Sequence, residues 1–191
     1  MNDPIALFRT WHQEAIDSGF KEPGAMAVAT VDANGYPDAR MILLKGIDEK
    51  GFVFYTNMQS PKAQALLHEP RVALCFYWDK IGKQIRVRGR AETVSNEEAD
   101  AYFATRPRLS QIGAWASKQS QTMRGYFELE AEVAKAIFRF GVEEVPRPPF
   151  WSGFRVVPGR IEFWKQMPFR RHQRIVYERA PDGWRRQWLY P

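Results

Sequence analysis

A phenol, a guanidinium and a hydroxyl lie close together in the middle of this 191-residue chain. Tyr102 and Arg106 are four residues apart in a segment with helical periodicity, so they share one helix face, and Ser110 follows just past Pro107. Neutral donors and one planar cation suit the binding of a phosphate group. An aromatic residue packed on a helix beside a surface arginine explains the pattern equally well.

Basic residues also lie in two predicted strands. Side chains of a strand point alternately to its two faces, so residues 40–45 place their two cations on opposite faces, while residues 84–90 gather their polar side chains on one. Exposed strand ends and a solvated outer face are the simpler explanations. In the first strand, one face carries Arg40, Ile42 and Leu44, and the other carries Met41, Leu43 and Lys45. In the second strand, one face carries Gln84, Arg86, Arg88 and Arg90, and the other carries Ile85 and Val87.

Two further polar stretches could contact an anion. The stretch Ser117-Lys118-Gln119-Ser120 is predicted to be a loop before a helix, and a helix N-terminus can bind phosphate through its free N–H groups. An ordinary helix cap is the alternative. The stretch Arg170-Arg171-His172-Gln173-Arg174 follows a predicted strand, and a solvated charge run is its usual explanation.

Several classes of site lose support. The three histidines, His12, His68 and His172, have no ligand spacing around them, so we expect no metal site. The motifs of Rossmann folds, P-loops and serine hydrolases do not occur in the sequence. One cysteine, no apolar run of membrane-spanning length and no signal-peptide pattern lead us to expect a cytoplasmic protein without a membrane partner.

Composition predicts a globular chain with an unusual C-terminal end. Apolar residues make up 45% and charged residues 26% of the sequence, which is typical of one domain with or without a small appendage. Residues 151–191 hold nine Lys/Arg against three acids, which equals the whole formal charge of +6. A nucleic-acid surface and a site for an anionic small molecule both fit this excess, although interleaved acids interrupt any continuous basic stripe.

The predicted elements are mainly short strands with a few helices. Asp3 and Pro4 begin an N-terminal helix, and Asn34-Gly35 marks a hairpin. The strand spacing indicates an antiparallel β-barrel with peripheral helices, and a Pro-rich link divides the chain into residues 1–145 and a β-extension, 146–191. We predict strands at 26–31, 39–47, 52–57, 71–78, 84–95, 154–157, 160–164, 174–178 and 184–189, and further helices at 60–68, 96–106 and 122–140.

The order of these motifs along almost the whole chain resembles the pyridoxamine 5′-phosphate oxidase family. The most specific part is the continuous stretch from Tyr102 to Ser120. The other matching segments are Arg40 to Lys45, Phe54 to Asn57, Ser60 to Lys62, Gln84, Phe150 to Val156, Ile161 to Trp164, and Arg170-x-His172.

This resemblance implies a fold, a cofactor and an activity. The fold is an FMN-binding split β-barrel, an antiparallel Greek-key barrel with flanking helices, and the protein would be a homodimer with FMN at the interface. The activity is the oxidation of pyridoxamine or pyridoxine 5′-phosphate to pyridoxal 5′-phosphate by O2, with release of H2O2. The protein would orient two flat rings and anchor two phosphates, which requires cations and donors rather than a metal or a nucleophile.

The resemblance also implies residue roles. Arg170 and His172 would be the catalytic pair, lying against the substrate ring opposite the flavin. Together with them, the substrate would contact Lys45, Tyr102, Arg106 and Ser110. FMN would contact Arg40, Met41, Ile42, Leu43, Leu44, Lys45, Tyr55, Thr56, Lys62, Gln84, Gln119, Ser120, Trp164 and Arg174.

Departures from the family pattern lie near these positions. Pro61 stands where the family usually has an arginine, and Arg171 and Gln173 replace its usual Leu and Asp. These differences keep a second hypothesis open, in which a related split-barrel flavin oxidase acts on another ring, such as a phenazine precursor. A nucleic-acid-binding module is the third hypothesis.

Overall fold

The computed structural model describes residues 3–191 and confirms a mainly β architecture with peripheral helices. The helices are α1 (Pro4–Asp17), α2 (Pro61–His68), α3 (Asn96–Ala104), α4 (Arg108–Ala116) and α5 (Glu128–Phe140). The strands are β1 (Ala25–Val31), β2 (Pro37–Leu43), β3 (Gly46–Ile47), β4 (Phe52–Asn57), β5 (Arg71–Trp78), β6 (Lys83–Thr93), β7 (Trp151–Lys165), β8 (Gln173–Ala180) and β9 (Gly183–Leu189).

The strands form one sheet with the order β2-β1-β5-β6-β7-β4-β3, and β8 pairs with both β7 and β9. The pairings β1–β2, β5–β6, β7–β8 and β8–β9 are antiparallel, as the short connections require. Contacts along the chain group into two compact units. The sheet unit comprises the described residues up to Phe54, Ala65–Glu92 and Arg155–Pro191, and the helical unit comprises Tyr55–Gln64 and Thr93–Phe154.

Helix α1 begins and packs as its sequence predicts. The Asp3 carboxylate accepts a hydrogen bond from the Ile5 N–H at 2.8 Å, and Pro4 occupies the first helical position, where no N–H is needed. Phe8 is fully buried and meets Phe52 and Phe76 edge-on, with ring centroids 4.9 and 5.0 Å apart. These edge-to-face contacts anchor the helix on the core of the sheet unit.

Two strand predictions were wrong in their boundaries. The strand predicted at 39–47 divides, because the Leu44 N–H donates to the Gly24 carbonyl while the Lys45 N–H donates to the Val53 carbonyl. The chain therefore changes neighbours between β2 and β3. In contrast, the two strands predicted at 154–157 and 160–164 are one strand, β7. Gly89 lies so close to this strand that a Cβ there would be 2.2 Å from the Val157 carbonyl oxygen.

Two helix predictions were wrong in the helical unit. Helix α4 was not predicted, although Ile112 and Ala116 are buried on it and Ile112 belongs to one core cluster with Phe103 and Phe140. Helix α5 begins at Glu128 rather than near residue 122, so the stretch from Ser117 to Ser120 does not lead directly into a helix. The expectation that this stretch offers a helix N-terminus to a phosphate is therefore wrong.

Candidate active site

Three aromatic rings of the helical unit form a parallel stack. Tyr55 in β4 contacts both Tyr102 of α3 and Trp151 at the start of β7, with centroid distances of 4.0 and 5.2 Å, and the Tyr102 and Trp151 centroids are 6.2 Å apart. The planes deviate from parallel by 4° and 1°. Tyr55 and Tyr102 are both predicted site residues, so the structure brings one residue predicted for the flavin next to one predicted for the substrate.

Arg106 lies on the same stack. Its guanidinium carbon is 4.9 Å from the Trp151 ring centroid and 5.5 Å from that of Phe103. Its Nη1 is buried and has no hydrogen-bond partner within residues 3–191. Burial lowers the pKa of Arg106 below its ordinary value and raises the pKa of Tyr102. A buried cationic donor without a partner is costly, so this position suits an anionic ligand.

A second group of predicted residues surrounds Lys62 near the start of α2. Its Nζ donates to the hydroxyl oxygens of Thr56 and Ser60 at 3.0 and 3.2 Å, and to Gln119 Oε1 at 3.1 Å. Ser120 follows with φ of 68°, in the left-handed region. Thr56, Lys62 and Gln119 are thus brought together from segments distant in sequence. One ammonium group with hydroxyls that can turn to donate is a suitable donor set for a phosphate.

Further predicted contacts lie at Ser110 and in the segment from Arg40 to Lys45. Ser110 lies in the first turn of α4 and is half-buried. Arg40 on β2 is held by the Val28 carbonyl at 3.1 Å, the Thr30 hydroxyl at 2.8 Å and the Asp38 carboxylate. Of the rest of the segment, Ile42, Leu43 and Leu44 are half-buried, and Met41 and Lys45 are exposed.

One face of β6, β7 and β8 in the sheet unit carries three predicted flavin residues. Trp164 lies directly opposite Arg174 in the β7–β8 pairing, and Glu162 is two residues before Trp164, so all three share this face. Arg86 reaches Glu162 at 3.9 Å and places β6 residue Gln84 on the same side. The alternation predicted for β6 is confirmed, because Ile85 and Val87 are fully buried on its other face.

Glu162 and Trp151 were not predicted as site residues. Glu162 has 2% of its surface exposed and accepts hydrogen bonds from Arg174 and Arg160. Burial alone would raise the pKa of Glu162, but the bond from Arg174 and the nearby guanidinium groups hold it below its ordinary value. The sequence signal that could have identified Glu162 is an acid between two apolar residues of a strand, Ile161-Glu162-Phe163.

The predicted catalytic pair follows β7 in a strained turn. Arg170 is exposed and adopts φ of 58°, directly after Phe169 at 56°. His172 packs on Trp164 with ring centroids 4.6 Å apart, and its Nδ1 accepts the Met167 N–H at 3.3 Å. Because Nδ1 accepts, a neutral His172 carries its proton on Nε2.

The described part of the chain has neither a cluster of metal ligands nor a membrane-spanning helix. Residues 3–191 contain no group of three or more His, Cys, Asp or Glu side chains that could hold a metal ion. Within the same residues, no helix is both long enough and apolar enough to cross a membrane.

Two family models match most of the chain. Residues 12–140 match the family described as "Pyridoxamine 5'-phosphate oxidase". Residues 151–191 match the "Pyridoxine 5'-phosphate oxidase C-terminal dimerisation region". The second match covers the strands β7 to β9.

Similar proteins carry a related name. A protein of Azorhizobium caulinodans named "Pyridoxine/pyridoxamine 5'-phosphate oxidase" is 54% identical over 192 residues, covering 100% of this chain and 91% of that protein. A protein of Caulobacter vibrioides with the same name is 53% identical over 189 residues, covering 99% of this chain and 85% of that protein.

Solved structures confirm the predicted fold class. PhzG from Burkholderia lata 383, in complex with tetrahydrophenazine-1-carboxylic acid, has a TM-score of 0.95 and 31% identity, covering 100% of this chain and 94% of that chain. A pyridoxamine 5'-phosphate oxidase-related, FMN binding protein from Nostoc punctiforme has a TM-score of 0.79 over 99% of this chain and 98% of its own. Its identity of 17% supports the fold alone.

Proposed function

The chain belongs to the pyridoxamine 5′-phosphate oxidase family, and from this premise we propose that it oxidises pyridoxine or pyridoxamine 5′-phosphate to pyridoxal 5′-phosphate. With the alcohol, one O2 is reduced to one H2O2; with the amine, one water is also consumed and one ammonia is released. The observation that carries this proposal is the buried Nη1 of Arg106, which has no partner among the described residues and so fits the substrate phosphate.

The cofactor is FMN, and the residues present fit it. When bound, FMN supplies the two-electron acceptor for the carbon oxidation and the route by which those electrons reach O2. In the helical unit, Lys62, Thr56 and Gln119 form a donor cluster suited to a phosphate. In the sheet unit, Gln84, Trp164 and Arg174 offer an amide, a flat ring and a guanidinium on one sheet face. Arg40, the segment from Met41 to Lys45, Tyr55 and Ser120 keep the flavin roles that the resemblance implies.

The substrate is held by its phosphate through the chain's own donors. Arg106 contributes the planar cation, and Tyr102 contributes a protonated phenol, whose pKa burial raises further above its ordinary value. Tyr102 packs on Tyr55 and Arg106 packs on Trp151, and these contacts limit the freedom of both side chains and so lower the entropy cost of binding. Ser110 and Lys45 are the further phosphate contacts that we propose.

The catalytic pair acts on the ring of the substrate. His172 is oriented by Trp164 and by the Met167 N–H, so that its Nε2–H is available to donate to the substrate. Arg170 supplies a cation, and its backbone adopts the left-handed conformation, which differs from that of a helix or a strand. Together they fix the orientation of the substrate ring.

The experiment that tests this function begins with the absorption spectrum of the purified protein, which should show bound flavin. The flavin-loaded protein should then form pyridoxal 5′-phosphate from either substrate, with equal amounts of H2O2 formed and O2 consumed. A flavin-loaded protein that is inert toward both substrates would refute the proposal.

The second candidate is oxidation of a phenazine precursor, which the similarity to the PhzG complex favours. The higher identity to the Azorhizobium protein favours the vitamin B6 phosphates. A direct comparison of kcat/KM for pyridoxine 5′-phosphate and for a reduced phenazine carboxylic acid distinguishes the two. Faster turnover of the phenazine compound would replace the first proposal by the second.

We also propose that the active form is a homodimer in the cytoplasm, with FMN bound at the interface. The match of residues 151–191 to a dimerisation region supports the dimer. The single cysteine, Cys75, allows no intrachain disulfide and suits a reducing compartment.

A further inference from the structure

Three guanidinium groups converge on one buried carboxylate in the sheet unit. Glu162 Oε1 accepts from Arg174 Nε at 3.0 Å and from Arg174 Nη2 at 2.7 Å. Its Oε2 accepts from Arg160 Nη1 at 3.1 Å and lies 3.9 Å from Arg86 Nη1. Only 2% of the Glu162 side chain is exposed, whereas the arginine side chains reach the surface.

The cluster holds more cations than one structural ion pair needs. Removing a carboxylate from water is costly, and close hydrogen-bonded cations such as Arg174 offset that cost. Here three arginines surround Glu162, and Glu178, 3.6 Å from Arg160, brings a second carboxylate to the cluster, so three cations face two acids and the surface above Glu162 keeps a net positive charge. An excess of this kind suits a site that receives an anion.

Arg174 is fixed in a particular orientation. Nε and Nη2 both donate to one carboxylate oxygen, and Nη1 donates to the Tyr190 carbonyl at 2.9 Å. A guanidinium has five N–H groups in a rigid plane, and these bonds use three of them. Two N–H groups therefore remain for a ligand, in a plane that Glu162 determines.

We propose that Glu162 is a positioning residue, which orients Arg174 for FMN without touching the cofactor itself. This inference rests on the proposed function, in which Arg174 contacts FMN. A positioning role and a purely electrostatic role predict opposite changes in FMN affinity when the carboxylate is lost. If only charge mattered, loss of the carboxylate would strengthen the binding of the anionic cofactor; if orientation matters, the same loss weakens it.

The test measures FMN affinity of the full-length apoprotein by quenching of flavin fluorescence. Glu162→Gln keeps the size of the side chain and removes its charge, and we expect the Kd for FMN to rise at least about tenfold, as for loss of one charged hydrogen bond. Glu178→Gln is the matched control, because Glu178 lies 3.6 Å from Arg160 on the next strand and is half exposed. The control should stay within twofold of the unmodified protein.

The same measurement in an Arg174→Ala background separates orientation from general damage. Arg174→Ala alone should raise the Kd, and adding Glu162→Gln should then change it less than twofold. If Arg174→Ala weakens FMN binding but Glu162→Gln does not, or if the two effects multiply, the positioning role is refuted while the proposed function stands. If Arg174→Ala leaves the Kd unchanged, the Arg174 assignment fails and the inference fails with it.

Glu162→Gln could unfold the protein, because it leaves buried guanidinium groups unpaired. Glu162→Asp keeps the charge but shortens the side chain by one methylene, so it cannot keep both bonds to Arg174. Thermal unfolding of each apoprotein identifies the variants that fold. With Glu162→Asp, a several-fold rise in Kd supports the inference, and an unchanged Kd overturns it.

Discussion

Replacing Arg106 by methionine should weaken substrate binding without weakening the fold. Methionine keeps an unbranched apolar stem against Trp151 and Phe103 but removes the guanidinium. The two properties should respond differently, because Nη1 of the guanidinium that we assign to the phosphate has no hydrogen-bond partner within residues 3–191.

The magnitudes follow from the contacts. A hydrogen bond to a charged group contributes about 1.5–3 kcal/mol, and a guanidinium can donate two to one phosphate, so the loss is at least about 3 kcal/mol, or about 150-fold in kcat/KM. For stability, loss of the cation–π contact costs about 0.5–2 kcal/mol. Removal of a buried unsatisfied donor returns about 1–3 kcal/mol. The net change in unfolding free energy is therefore near zero.

Steady-state kinetics on pyridoxine 5′-phosphate and on pyridoxine give the cleanest readout. Arg106→Met should reduce kcat/KM for the phosphate ester, and so reduce the preference for it over the dephosphorylated alcohol. Arg139→Met is the matched control, because its guanidinium lies 4.7 Å from the centroid of Trp115 but belongs to no proposed site. The role assigned to Arg106 is refuted if Arg106→Met retains kcat/KM within threefold, or if it lowers the unfolding free energy by more than about 2 kcal/mol, the upper value of the cation–π contact.

Three other substitutions test the phosphate site and the core. Lys62→Met should raise the Kd for FMN about tenfold, as measured by flavin fluorescence, because it removes the charged donor from the group of residues around Lys62. Pro61→Arg should lower that Kd about threefold, because it adds an exposed cation beside Lys62. Burial lowers the pKa of His12, so its contribution to stability is present above the ordinary pKa of 6.5 and is lost as pH falls through the lowered value. His12→Phe should flatten this part of the pH dependence in urea unfolding.

Each of these three substitutions has an outcome that would contradict its prediction. An unchanged Kd for Lys62→Met would remove the ammonium from the flavin site, and a weaker Kd for Pro61→Arg would mean that the cation is misplaced. If His12→Phe keeps the loss of stability on acidification, other groups cause it.

Local signals predicted the elements that depend on local physics. The cap at Asp3, the hairpin at Asn34-Gly35 and the alternation of β6 each involve residues that are neighbours in sequence. Helix α4 was missed because its short apolar pattern, ending in Ile112 and Ala116, follows directly after Pro107. Its stability comes from tertiary packing against Phe103 and Phe140, which no local pattern shows.

The same distinction separates the parts of the candidate site. Tyr102 and Arg106 could be paired from their helical spacing alone. The contribution of Trp151 could not be predicted, because it reaches Tyr55 from a strand that begins almost a hundred residues later. The role of Glu162 depends on its hydrogen bond with Arg174 on the neighbouring strand. The two residues are diagonal neighbours in the sheet, and this contact forms only when the register of β7 and β8 is set.

The turn at Phe169 and Arg170 has a consequence for how the sequence can drift over evolution. Two consecutive residues other than glycine lie in the left-handed region, and the Phe169 side chain is 92% exposed. Because its ring is so little buried, the backbone rather than packing decides which residues can occupy the position. Glycine and asparagine should therefore be acceptable replacements for Phe169, whereas valine and isoleucine should be excluded, since their branched Cβ resists this conformation. A surface position that looks freely variable is thus restricted by the shape of the chain leading into the catalytic pair.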